Sequence, residues 1–132
     1  MVDHEYIDAQ SKAGHIAWEN RRYGARYAVD TPALVAAARE HVPVVHLGQT
    51  EAVAAVRCAT PEVQWVVVQL WCPREVAAVR LAARNPADIT ERLEAWDVTK
   101  HLATADLALD TSKIAPREAA RAIIRTLDHL AQ

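Results

Sequence analysis

Glycine is scarce in this sequence: three residues, at positions 14, 24 and 48 of 132. With 52% hydrophobic residues, rich in Ala and Val, this argues against long disordered segments. A compact, helix-rich single domain spanning residues 1–132 is expected, large enough to form a core without metal or disulfide staples. Cysteine is limited to Cys58 and Cys72, which show no pairing pattern and fit ordinary buried thiols in a reducing compartment. No histidine is placed by sequence to activate Cys72, so it is assigned to packing. There is no basic excess either. The formal net charge is −2 and the pI is near 6.3, which excludes the positive field that sequence-independent nucleic-acid binding requires. No apolar run reaches membrane-spanning length, and the opening MVDHEY is too polar for a signal peptide. His4, His15, His41, His46, His101 and His129 have no metal-site spacing, among themselves or with the cysteines. The expectation is a cytoplasmic protein with no membrane, nucleic-acid or metal partner.

What is present is organised around residues 62–96. Residues 63–71 (VQWVVVQLW) are apolar on both faces, as in a strand of a parallel sheet covered on both sides. Cys72-Pro73 then opens a helix, since proline suits the first helical turn. Val76 and Val79 are expected to face the sheet, while Arg80 and Arg84, four residues apart, share another face. Asn85-Pro86 stops that helix, and residues 88–96 begin another that carries Arg92. Three guanidinium groups can therefore converge on one anionic ligand. The competing reading has them solvated and paired with Glu75, Asp88 or Glu91.

Taken in order, residues 3–12 predict a short helix ended by Ala13-Gly14. Two short strands joined around residues 20–22 follow, from the alternation of Ile16/Trp18 and of Tyr23/Ala25/Tyr27/Val29. Thr31-Pro32 reads as an N-cap and N1 pair, with Leu34, Val35, Ala38 and Val42 as the apolar stripe. Residues 43–47 predict a strand, and Thr50 caps a helix with Val53 and Val56 inward. Residues 104–110 predict a last strand, and a final helix aligns Ala120, Ile123, Ile124, Leu127 and Leu130. This cadence predicts an α/β fold of three α/β/α layers with a mostly parallel sheet and a small N-terminal β-hairpin. Ligands in such sheets bind beyond the carboxyl ends of the strands. Those ends are His46-Gly48-Gln49, Trp71-Cys72 and Asp110-Thr111-Ser112. Asp106 and Asp110, at opposite ends of one strand, are not a persuasive acid/base pair.

The succession WENRRYG (18–24), VVHLGQ (44–49), VRLAARNPADITERL (79–93) and DLALDTS (106–112) resembles the guanylate kinase-like group of P-loop nucleotide kinases, which includes ribose bisphosphate phosphokinases. The resemblance covers nearly all of this chain but only the later part of such a kinase. It implies that Arg80 and Arg84 are a lid pair and Arg92 the arginine that closes the lid, the three clamping phosphates. It also implies that Tyr23 and Gly24 belong to the acceptor-binding region, with Trp18, Glu19 and Asn20 beside them. His46 and Gln49 would lie at a ligand-facing strand end, and Asp110 and Thr111 near the nucleotide base. For Trp18 and Tyr23 the alternative is a small aromatic core, and for His46 a hydrogen-bonded structural role.

Departures from the family pattern are equally informative. Glycines at 14, 24 and 48, none five apart and none followed by lysine, cannot supply the Gly-x-x-x-x-Gly-Lys-[Ser/Thr] loop that holds donor phosphates and magnesium. The family's acidic residues at the strand end matching 43–47 are replaced by His46, Leu47 and Gly48, and the upstream arginines for the acceptor phosphate are missing. The expected function is therefore binding of a phosphorylated small molecule or nucleotide without ATP-dependent phosphotransfer in this chain. ATP and magnesium enter only where the missing loop is supplied elsewhere, by a longer reading frame or by another chain. The alternative is a non-catalytic interaction module, because losing the central P-loop strand leaves an apolar seam; a homodimer or a rearranged sheet is expected.

Overall fold

The computed structural model describes residues 4–22, 25–84, 86–99 and 101–131. The chain is mixed α/β and divides into two compact units, Met1–Gln64 and Trp65–Gln132. Among the described residues its strands form two two-stranded sheets, one an antiparallel hairpin and one a parallel pair, rather than the expected single, mostly parallel sheet.

In the first unit, α1 (His4–Lys12) ends where glycine is required: Gly14 has φ +75°, the left-handed conformation a side chain resists. Its N–H donates to Ser11 O at 3.0 Å and the His15 N–H to Gln10 O at 2.9 Å, the paired bonds of a Schellman cap. Strands β1 (Ile16–Arg22) and β2 (Ala25–Asp30) follow as the expected antiparallel hairpin, with Trp18 opposite Val29 and Arg22 opposite Ala25. The hairpin feeds α2 (Thr31–Glu40), but its N-cap is Asp30 rather than Thr31. The Asp30 Oδ1 accepts from the Ala33 N–H at 3.1 Å, and its Oδ2 accepts from the Tyr6 hydroxyl at 2.6 Å. One carboxylate thus satisfies a helix end and ties α1 to the hairpin. Asp30→Ala is expected to cost about 1 kcal/mol through the lost cap alone. Thermal unfolding checks this, and Asp30→Asn, which retains an oxygen for the cap, is expected to recover part of the loss.

Helix α3 (Thr50–Ala59) packs on β1 through Ala52 and Val56, one turn apart and almost fully buried. Its flanking position is Gln49, whose side chain makes no cap bond. Cys58 points off this stripe and is exposed, against the expectation of a buried thiol. The strand expected at 43–47 does not form. Val44 is 78% exposed and finds no ladder partner, and Val42 is 67% exposed because α2 stops at Glu40. The core of this unit is Ile7, Leu34, Ala52 and Val56, with the Thr60 hydroxyl buried and donating to Val56 O at 2.7 Å.

The second unit holds β3 (Val68–Trp71), α4 (Arg74–Arg84), a single 3₁₀ turn (Pro86–Asp88), α5 (Ile89–Val98), β4 (Leu107–Asp110) and α6 (Pro116–Leu130). Strands β3 and β4 pair in parallel, Val68 to Leu107 and Trp71 to Asp110, with two helices in the crossover between them. The pair is shorter than expected at both starts. The Asp106 carboxylate accepts the Val67 N–H at 2.7 Å while the Asp106 N–H donates to Val67 O at 2.8 Å, and the ladder begins only after them. Nor is β3 covered on both faces: Leu70 is 56% and Trp71 37% exposed. In α4 the buried position is Ala77, which turns Val79 outward at 70% exposure. In α6 the half-buried positions are Ala119, Ala122, Ile123, Thr126 and Leu127, while Ala120, Ile124 at 56% and Leu130 at 38% are exposed, so the expected stripe is turned partly to solvent.

Arg74 at the start of α4 grips Asp97 near the end of α5 with two bonds, Nε–Oδ1 at 2.8 Å and Nη2–Oδ2 at 3.2 Å. The Arg74 hydrogen bond holds the Asp97 carboxyl below its usual range, and Asp97 in turn raises Arg74. A carboxylate depressed in the folded state contributes stability above its unfolded pKa, and this is lost as pH falls through the folded one. Asp97→Asn is therefore expected to lessen the acid sensitivity of the wild type as pH falls through and below the ordinary carboxylate value of 3.8. Melting curves across that range check it; high salt should also shrink the effect, because both side chains are about half exposed, 52% and 44%.

Candidate functional site

Strand alternation builds the site at the carboxyl end of the parallel pair. Gln69 and Trp71 share one face of β3 with their register partners Ala108 and Asp110, while Val68, Leu70, Leu107 and Leu109 share the other. The first face is crossed by residues 101 and 102: the Leu102 N–H donates to Gln69 Oε1 at 2.8 Å, and the His101 ring meets the Trp71 indole edge-on at 5.7 Å and 73°. At the strand tips, the Thr111 N–H and hydroxyl both donate to Trp71 O, at 2.8 and 3.2 Å.

Arg80 reaches this corner from α4. Its Nη1 donates to Thr111 Oγ1 at 2.7 Å and its Nη2 to Thr111 O at 2.8 Å. Asp110 accepts from Ser112 twice through Oδ1, from the N–H at 2.9 Å and the hydroxyl at 2.5 Å. The Ser112 hydroxyl bond, the Ser112 N–H and the nearby Lys113 and Arg80 charges hold the Asp110 carboxyl below its usual range, against some desolvation. A carboxylate depressed in this way is a weak general base. The corner therefore gathers a guanidinium, two hydroxyls and an ionised carboxylate at the tips of the two strands.

Of the residues expected to act, the fold brings together Arg80, Asp110 and Thr111, joined by Trp71 and Ser112, which the strand ends had already pointed to. His101, separated from Trp71 by 30 positions, carried no such signal. Among the described residues, Thr111 is bonded by Arg80 and by neither of the other two arginines. Arg92 donates through Nε to Asp88 at 2.8 Å, a part-buried i,i+4 ion pair with one of the partners the competing reading names. Arg84 has no hydrogen-bond or ion-pair partner among the described residues.

The remaining candidates belong to the Met1–Gln64 unit. On β1, Trp18 and Asn20 point to one side and Glu19 to the other, so the three do not form a single patch. Tyr23 and Gly24 lie outside the described residues. His46 is exposed in the irregular stretch before α3, and the Gln49 side-chain oxygen is buried without a hydrogen-bond partner. In the second unit a separate cavity of about 430 Å³ lies at the opposite end of β4 from Arg80, between Leu107 and the Ala122, Arg125, Thr126 and His129 side of α6. Among the described residues no group of three or more His, Cys, Asp or Glu side chains is placed to hold a metal ion, and no helix is long and apolar enough to cross a membrane. No protein-family model, curated protein or solved structure matches this chain.

Proposed function

We propose that this chain binds a phosphorylated small molecule or nucleotide at the carboxyl ends of β3 and β4, as a guanylate kinase-like protein without donor-site chemistry. The observation that carries this reading is the placement of Arg80 at the tips of both parallel strands beside Thr111 and Asp110. A guanidinium is always charged and recognises phosphate by paired N–H donors, so its position at that edge matters more than its charge alone. The β3–α4–α5–β4 segment corresponds, on this reading, to part of a three-layer kinase core. The lid arginines correspond to Arg80, Arg84 and Arg92. Without a glycine-rich loop, the chain is not expected to bind MgATP or transfer its phosphate.

Titration calorimetry of the purified chain with GMP, ribose phosphates and MgATP tests the proposal. Binding of a monophosphate without MgATP binding is the expected result. Silence towards every phosphorylated ligand would sink it.

A second reading is favoured by the apolar surface of the Trp65–Gln132 unit. Ala77 is its only buried hydrophobic side chain among the described residues, while Leu70, Val79, Val98 and Ile124 are each more than half exposed. Single exposed apolar residues are ordinary, but both strands of the parallel pair also have an open edge. This supports a non-catalytic module that pairs with a second copy of itself. Light scattering decides between them: a ligand-independent dimer favours the module, and a monomer at all concentrations removes it.

A further inference from the structure

We infer that Thr111 is a positioning residue, which holds the Arg80 guanidinium by one edge and leaves its other edge free to grip an oxyanion. The inference rests on the proposal above that an anion binds beside Arg80. It begins with the donors of arginine. A guanidinium has five N–H groups in a planar fork. Thr111 takes one from Nη1 at its hydroxyl, 2.7 Å, and one from Nη2 at its carbonyl, 2.8 Å. Both bonds use the terminal edge, between the two Nη atoms. The lateral edge, formed by Nε–H and the adjacent Nη–H, makes no hydrogen bond among the described residues. That lateral pair is spaced to meet two oxygens of a phosphate or carboxylate at once.

Thr111 is well suited to this task because its own position is fixed. Its N–H and hydroxyl both donate to Trp71 O across the strand tips, so the hydroxyl is oriented with its lone pairs available to Arg80. Arg80 is an exposed, rotamer-rich side chain on α4, and the entropy of ordering it would otherwise count against anion binding. Two bonds from a rigid partner remove much of that cost before the anion arrives. The alternative, that Thr111 sequesters Arg80 from ligands, makes the opposite prediction for affinity and is separated by the same experiment.

The test uses the full chain with GMP and inorganic phosphate as probes. Thr111→Val, which keeps the carbonyl bond but loses the hydroxyl, is expected to weaken binding roughly three- to tenfold, the range for one lost hydrogen bond. Thr111→Ser is expected to restore it. A folding defect would lower the melting temperature of both variants but would not follow hydroxyl content. Side-chain nitrogen NMR of the unliganded chain gives an independent readout: slowed rotation at the Arg80 guanidinium in wild type, and free rotation in Thr111→Val. Wild-type affinity or tighter binding in Thr111→Val, or a freely rotating Arg80 in the wild type, overturns the inference while leaving the parent proposal standing. Absence of any anion binding by the wild type defeats the parent proposal and the anion-positioning role with it.

Discussion

Val56→Ala is expected to destabilise the chain by about 2 kcal/mol, while Val79→Ala, chemically the same change, should have an effect within about 0.5 kcal/mol of zero. Val56 is 3% exposed and Val79 is 70% exposed. The two deleted methyl groups of Val56 leave a core that also contains Ile7, Leu34 and Ala52, and a rigid core relaxes only partly into the space. Val56 also carries the carbonyl that accepts the fully buried Thr60 hydroxyl at 2.7 Å. A shift of α3 to fill the cavity would strain that bond and the packing of α3 on β1, so collapse is opposed. Urea denaturation followed by circular dichroism checks the pair of variants. Two equally small effects would overturn the burial of α3 at Val56, and two equally large ones the outward rotation of α4 at Val79.

The contrast between these two valines shows what could be read along the chain and what could not. Helix starts were legible because their signals are local: Pro32, Pro73 and Pro116 each stand at or just before a first turn, and Gly14 marks the end of α1. The hairpin was legible from its alternation, although the first strand extends to Arg22 and thus past the expected junction. Helix rotation was less accessible. The apolar positions of α4 allow a stripe through Val76 and Val79 or one through Ala77 and Leu81. The structure buries Ala77, leaves Val76 and Leu81 half-buried and turns Val79 out, which places Arg80 within reach of Thr111, 31 residues later in the chain.

Strand pairing was the least legible property, because it depends on partners distant in sequence. Residues 43–47 have strand-like composition yet remain unpaired, and 63–71 is reduced to Val68–Trp71 by the four-residue length of its partner. The same limit applies to the candidate site. Arg80, Asp110 and Thr111 were each recognisable alone, by spacing or by position at a strand end. That Thr111 joins Arg80 to the tip of β3 depends on tertiary geometry. So does the withdrawal of Arg92 into a pair with Asp88, which spacing permitted equally with convergence on a ligand.

Arg80→Ala is expected to weaken monophosphate binding tenfold or more, in line with the roughly 1.5 to 3 kcal/mol carried by a charge-assisted hydrogen bond. Arg84→Ala should have a smaller effect. Arg84 has no partner among the described residues, so it is available to an anion only at the cost of ordering a long side chain. Arg92→Ala should have the least, because its Nε is already engaged by Asp88 and its charge is largely offset there. Asp110→Asn acts in the other direction. The Arg80 charge helps to keep its carboxylate ionised, and that carboxylate opposes a second anion at the same corner; neutralising it is expected to tighten phosphate binding several-fold. Calorimetric titration of the four variants supplies the order of effects, with urea denaturation showing that each remains folded. An Arg92→Ala loss as large as that of Arg80→Ala would mean that the three guanidinium groups close together on the ligand, and that the Arg92–Asp88 pair opens when it binds. Weaker binding in Asp110→Asn would instead make the carboxylate a ligand contact, hydrogen-bonded to the non-phosphate part of the molecule through Oδ2, which accepts no bond among the described residues. The sign of that one change therefore separates a corner that reads only charge from one that also reads the ligand's polar groups.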